Sequence, residues 1–199
     1  QYVERYKDRD WVMKYVEMPF VVEVLGLGGS KPFLYAGTID GLAEMEGEKL
    51  YLGEHKTTPR LSADYVKSFK PNNQITAYCW ALSKYLEKPL YGAVINIIHI
   101  LTKETNFIRH VTTREPWELI QWEYQLQCIV DDVRRARENE HWYQNTSQCA
   151  IYGMCPYQTL CNTSPDYMQN FMDAGYETRI PEDLKWLFVK DSEVKIATA

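Results

Sequence analysis

At 199 residues and 23.4 kDa the chain has room for one domain, at most two. Hydrophobic residues make up 45% of it and aromatic residues 14%, which excludes a wholly disordered polymer. Acidic residues outnumber basic ones, 27 to 22, so a protein that coats nucleic acid through a basic surface is excluded, although an enzyme with a local basic groove is not.

No apolar run approaches the roughly 20 residues of a membrane span, and Gln1-Tyr2-Val3-Glu4-Arg5 offers no apolar signal region. Because the chain opens without Met, we expect a segment upstream of it. Residues 2–14 read as the tail of a helix or a connector. Val16, Phe20, Val22 and Val24 then predict a strand over 15–25, and Gly26 to Pro32 a hairpin loop. Further strands are predicted over 33–39, 42–46 and 49–57, the first two separated by Asp40-Gly41, a strong hairpin-turn dipeptide. Residues 59–71 form a polar, basic connector. Ile75, Tyr78, Cys79, Leu82, Tyr85 and Leu86 then recur at three- and four-residue steps, predicting a helix over 73–88. Strands over 91–101 and 107–112 follow as a plausible pair, then a long helix over 115–140 with Pro116 in its first turn. Residues 166–199 read as short helices and an acidic tail. The expected fold class is α/β with a mixed central sheet flanked by helices.

Chemistry concentrates in three pieces: Gly37-Thr38-Ile39-Asp40-Gly41, Glu54-His55-Lys56-Thr57, and Gln74 with Tyr78. Residues two apart on a strand share a face, so Glu54 and Lys56 point together. An Asp40 ending the neighbouring strand would meet Glu54 there. Two carboxylates so placed suit Mg²⁺ or Mn²⁺, with the His55 backbone carbonyl as a further oxygen. A lysine beside them can serve an attacking water. Each piece has an ordinary alternative: a turn at Asp40, an exposed Glu54–Lys56 ion pair, a helix-surface contact between Gln74 and Tyr78. Their joint occurrence in this order favours chemistry.

On these residues the chain resembles the PD-(D/E)xK nuclease superfamily, and within it the RecB-like exonuclease branch with phage and CRISPR-associated relatives. The resemblance runs over about 15–161. It implies a restriction-endonuclease-like fold, Asp40 and Glu54 as ligands of a divalent metal, and Lys56 serving the catalytic water. Gln74 and Tyr78 match an element that positions the nucleic-acid strand. It further implies a nuclease domain over 1–165, a tail over 166–199, DNA as partner, and a cytoplasmic setting in a bacterial or phage-infected cell. The family's further upstream His or Glu has no counterpart here. Glu17 and Glu23 lie on the first strand, where Glu23 is either an approach to the metal or a solvent-facing residue.

Cys149, Cys155 and Cys161 crowd into thirteen residues. Thiolates so close can serve one soft metal centre. With a fourth cysteine upstream, the resemblance implies a [4Fe–4S] cluster. Zinc, disulfides and unligated thiols remain alternatives, whereas Cys79 and Cys128 read as small core residues. In the basic connector, Arg60, Lys67 and Lys70 are candidates for phosphate contacts and Tyr65 and Phe69 for base stacking, against a connector whose aromatics tuck inward.

The expected function is Mg²⁺/Mn²⁺-dependent exonucleolytic hydrolysis of DNA at single strands or ends. Two alternatives stand beside it: a catalytically decayed module for DNA binding or assembly, and a structural metal-binding interaction protein centred on the cysteines.

Overall fold

The computed structural model describes residues 2–7, 11–45, 47–151, 153–177, 179 and 196–198. The chain divides into two compact units, 1–132 with 194–199, and 133–193. The expected boundary at 165 falls inside the second of these.

The first unit is built on a six-stranded sheet ordered β5-β4-β3-β2-β1-β6. Its strands are β1 (Trp11–Val24), β2 (Phe33–Met45), β3 (Lys49–Thr58), β4 (Gly92–Ile100), β5 (Thr105–Thr112) and β6 (Ile196–Thr198). Neighbours run antiparallel except β3/β4 and β1/β6, which are parallel. Parallel neighbours need a crossover, and between β3 and β4 it is made by α2 (Ala63–Lys67) and α3 (Asn73–Leu86). A short helix α1 (Tyr2–Arg5) precedes β1, and α4 (Pro116–Glu138) follows β5. This is the restriction-endonuclease-like mixed α/β fold expected from the sequence. Among the described residues no helix is long and apolar enough to cross a membrane.

α3 starts where Asn72 accepts a hydrogen bond from the Ile75 N–H at 3.1 Å, a side-chain cap contributing about 1 kcal/mol. It ends at Glu87, whose φ of 54° breaks the helix. Its buried face, Ile75, Cys79, Trp80 and Leu82, packs on Phe20, Val22 and Val24 of β1, Ile39 and Leu42 of β2, Leu52 of β3 and Ile95 and Ile97 of β4. Fully burying an Ile or Leu of this kind contributes roughly 1.5–3 kcal/mol. Burial also pushes the Cys79 thiol up to about 12, so it acts as a small apolar group.

The sequence reading needs correction at four places in this unit. The helical tail or connector expected over 2–14 gives way to strand at Trp11, so β1 is longer than the predicted 15–25. Asp40-Gly41 is not a turn: β2 runs unbroken from Phe33 to Met45. Gly41 is there for proximity, since a Cβ on it would sit 3.0 Å from the Met13 sulfur and 3.3 Å from the Tyr15 carbonyl oxygen. The basic connector contains α2, capped by Ser62 accepting from the Tyr65 N–H at 3.1 Å. Within the expected tail, Ile196–Thr198 pair with Val21–Glu23 as β6. The acidic stretch around Glu182, Asp183, Asp191 and Glu193 lies outside the described residues.

The second unit holds a 3₁₀ turn, Thr146–Gln148, and the helices α5 (Gln158–Cys161) and α6 (Pro165–Gly175). None of its described residues is buried.

Candidate active site at a fork in the sheet

β2 and β3 pair only from Gly41↔Gly53 to Met45↔Lys49. Past that point β2 continues along β1, while β3 continues along β4 as Glu54↔Ile95 through Thr58↔His99. The two strands therefore fork, and Asp40 and Glu54 are the first residues beyond the fork on each. Ile39 and Leu42, three apart, both enter the core, so the two-residue alternation of β2 slips by one between them. The slip occurs at Asp40-Gly41.

A fork leaves backbone donors without ladder partners, and a buried or half-buried N–H needs one. The His55 N–H donates to Asp40 Oδ2 at 2.8 Å, with the His55 ring Nδ1 3.7 Å from the same oxygen. The carboxylate thus stands in for a missing ladder carbonyl. Across the gap, Glu54 is 2% exposed, and Lys56 Nζ donates to its Oε1 at 2.6 Å. The same ammonium donates to Gln74 Oε1 at 2.7 Å, Gln74 lying in the first turn of α3. Tyr78, one turn further, packs edge-on against Phe20 with ring centroids 5.9 Å apart. Gly37 makes room for the Phe20 ring, because a Cβ there would lie 2.9 Å from its tip.

Burial pushes the Glu54 carboxyl above its usual range; the Lys56 hydrogen bond and charge oppose this, and the neighbouring Asp40 adds to it. Its second oxygen, Oε2, is buried without a hydrogen-bond partner. An orphaned carboxylate oxygen near a second carboxylate is a site that a hard cation would complete, and Mg²⁺ commonly takes one or two protein carboxylates with the rest of its oxygens from water and substrate phosphate. The residues present therefore fit a divalent cation of that class.

The cysteines do not fit a cluster in the same way. Cys149, Cys155 and Cys161 are free thiols lining one cavity of about 540 Å³ with Trp142, Tyr157 and Leu160. Among the described residues, however, no three His, Cys, Asp or Glu side chains converge closely enough to hold a metal ion. Disulfides are not formed. A [4Fe–4S] centre is not supplied by the thiols as they stand.

Of the basic candidates, Arg60 and Lys67 are exposed. Lys70 is engaged instead: its ammonium donates to Glu118 Oε2 at 2.7 Å and to the Thr113 carbonyl at 2.9 Å. Tyr65 and Phe69 tuck inward, Phe69 being 3% exposed and edge-on to Tyr65 at 5.2 Å, so neither is placed to stack on bases. Glu23 pairs with the exposed Leu34 on the sheet face opposite Val22 and Val24, away from the face that carries Glu54. Glu17 is exposed, at a φ of 49°.

Sequence reasoning missed Arg114. This buried guanidinium donates to Thr76 Oγ1, Thr112 Oγ1 and the carbonyls of Phe69 and Thr113 at 2.7–3.0 Å. It fastens the connector and the start of α3, and hence Gln74, to the end of β5. A lone Arg before Glu-Pro carries no periodic signal that could have revealed this.

The chain matches the family profile of the PD-(D/E)XK nuclease superfamily over residues 1–162. No curated protein matches it significantly. Among solved structures it is similar to that of SSO0001, with a TM-score of 0.43 and 14% identity, covering 80% of this chain and 64% of the other. The chain thus spans less than two thirds of that protein, and at such a score the likeness adds nothing to the assignment. The profile match covers the fork, Glu54-His55-Lys56 and α3 together, and on that ground the chain belongs to the PD-(D/E)XK nuclease superfamily.

Proposed function

We propose that this chain is a divalent-metal-dependent DNA exonuclease of the RecB-like branch, acting on single strands or DNA ends. The observation that carries the reading is the Lys56 ammonium held between Glu54 and Gln74, beside the partnerless Glu54 Oε2. Asp40 and Glu54 would hold Mg²⁺ or Mn²⁺, with the His55 carbonyl as a third oxygen. Such a cation supplies Lewis-acid polarisation of the scissile phosphate and a lowered pKa for the attacking water.

The chain's own residues do the rest. An ammonium has three donors. Two of Lys56's are fixed by Glu54 and Gln74, so the third is aimed without any need to order a flexible side chain. It serves the attacking water or a phosphate oxygen. Gln74 positions Lys56, and Tyr78 lies one helical turn beyond it along the same face. Arg60 and Lys67 contribute positive charge for the phosphates of the bound strand. The nuclease domain is taken as 1–165.

The test is digestion of end-labelled single- and double-stranded DNA with Mg²⁺ or Mn²⁺, comparing the chain with Lys56→Ala. The expected loss is about 10²–10⁴-fold, the usual contribution of a positioned proton-transfer group. Undiminished activity in Lys56→Ala would sink the mechanism, and nicking of circular DNA would replace exonuclease by endonuclease.

A further inference from the structure

Beside Gln74 the first unit opens a cavity of about 330 Å³ between β2, α3 and α4. Its walls are aromatic: Tyr35, Tyr78 and Trp122, with the Tyr35 and Trp122 ring centroids 5.4 Å apart and their planes at 66°. Its rim is polar, formed by Asn73, Gln74 and Gln125. Gln74 is bonded to Lys56, so the cavity begins one side chain away from the fork.

Most of its polar groups are uncommitted. Among the described residues, the hydroxyls of Tyr35 and Tyr78 and the side-chain amides of Asn73 and Gln125 have no hydrogen-bond partner. Tyr35 is half-buried, and burial, with Tyr78 beside it, pushes its phenol up to about 12; it therefore keeps its proton and stays a donor. Asn73 and Gln125 are exposed and Tyr35 and Tyr78 half-buried, so water can meet these groups in the free chain and a ligand's edge can take its place. The combination of flat apolar faces with convergent amides and hydroxyls suits a planar, heteroaromatic ligand with donors and acceptors on its edge.

We propose that this cavity is a base-holding subsite: it takes one unpaired nucleobase of the strand being cut, with one of the two inclined rings, Trp122 or Tyr35, against its face and the other at its side, and Gln125, Asn73 and the tyrosine hydroxyls on its edge. This rests on the nuclease reading above and deepens it. A base in a duplex is stacked and paired, and extruding it costs a few kcal/mol. A subsite that must be filled by a free base thus favours single strands and frayed ends, and it sets the phosphate beside that base against Lys56.

The test separates this inference from the nuclease reading by measuring binding without turnover. Fluorescence anisotropy in EDTA follows the full chain with labelled single-stranded oligodeoxynucleotides in which each base in turn is replaced by an abasic site. Aromatic contact with a base is typically worth a factor of about 5 to 150 in affinity. We expect one or two adjacent positions to lose affinity by at least about fivefold and the others to change little. Gln125→Ala, an exposed position that leaves the core intact, should weaken the intact strand while narrowing the gap to the abasic one. Equal affinity for every abasic strand would overturn the subsite, whatever the nuclease assay gives. Position-dependent loss with no cleavage under any metal would keep the subsite and discard the nuclease reading.

Discussion

The two units hold their reactive side chains on different terms. Asp40, Glu54, Lys56 and Gln74 stand on strands and a capped helix around a core, and their hydrogen bonds interlock. Cys149, Cys155 and Cys161 stand in a unit with no buried residue among those described, and they line a cavity without converging. Both groups look equally deliberate in the sequence. What separates them is how they are held: Lys56 bonds both Glu54 and Gln74 on packed elements, whereas crowding along the chain does not bring the thiols together in space.

Predictions that test this contrast run from large to small. Arg114→Ala removes four hydrogen bonds from a buried cation. At roughly 1 kcal/mol each it should cost about 4 kcal/mol in urea unfolding, and a loss below about 1 kcal/mol would show that the connector is not fastened there. Next, Mn²⁺ at about a hundred times its dissociation constant should stabilise the chain by about 2.7 kcal/mol. Asp40→Asn should abolish that shift, and Cys149→Ser with Cys161→Ser should leave it untouched; the reverse pattern would put the metal among the thiols.

Glu118 gives a smaller effect. Its Oε2 accepts from Lys70 and from the Glu115 N–H at 2.7 Å each, the returning half of a capping box at the start of α4. Burial opposes ionisation, but Lys70, that N–H and Arg114 hold the carboxyl below its usual range. A depressed carboxyl contributes stability above its unfolded pKa and loses it as pH falls through the lower folded value. Glu118→Gln should therefore cost about 1 kcal/mol at neutral pH, and the difference from the unaltered chain should shrink on acidification. A gap that stays constant with pH would assign the effect to the cap alone. Smallest of all, Cys149→Ser and Cys161→Ser by themselves should change stability by no more than about 0.5 kcal/mol.

Long periodic elements were legible in the sequence: α3, β4, β5 and α4 lie within two residues of expectation. So was the order of Asp40, Glu54, Lys56 and Gln74, because a strand's two-residue period puts Glu54 and Lys56 together. Asp40-Gly41 was not, since a glycine needed for close approach to Met13 reads the same as a glycine needed for a turn. Arg114 and β6 were invisible for a different reason. One ties a single buried charge to Phe69 and Thr76, which are distant in the chain, and the other is a three-residue strand defined only by what it pairs with.

The pairing of β6 with β1 also has a consequence in time. Ile196 meets Val21, so everything between them must be made before that contact can form. At about 5–20 residues per second this delay is on the order of ten seconds, during which β1 is an open sheet edge on which another nascent chain could pair. The strand carries its own deterrents. Pro19 removes a donor, Glu17 at a φ of 49° disturbs the ladder, and the register shift between Met13 and Tyr15 breaks its line. These irregularities lie on Met13–Pro19, beside the stretch Val21–Glu23 that the described residues of β6 pair with, and they blunt that part of the edge against pairing with another chain.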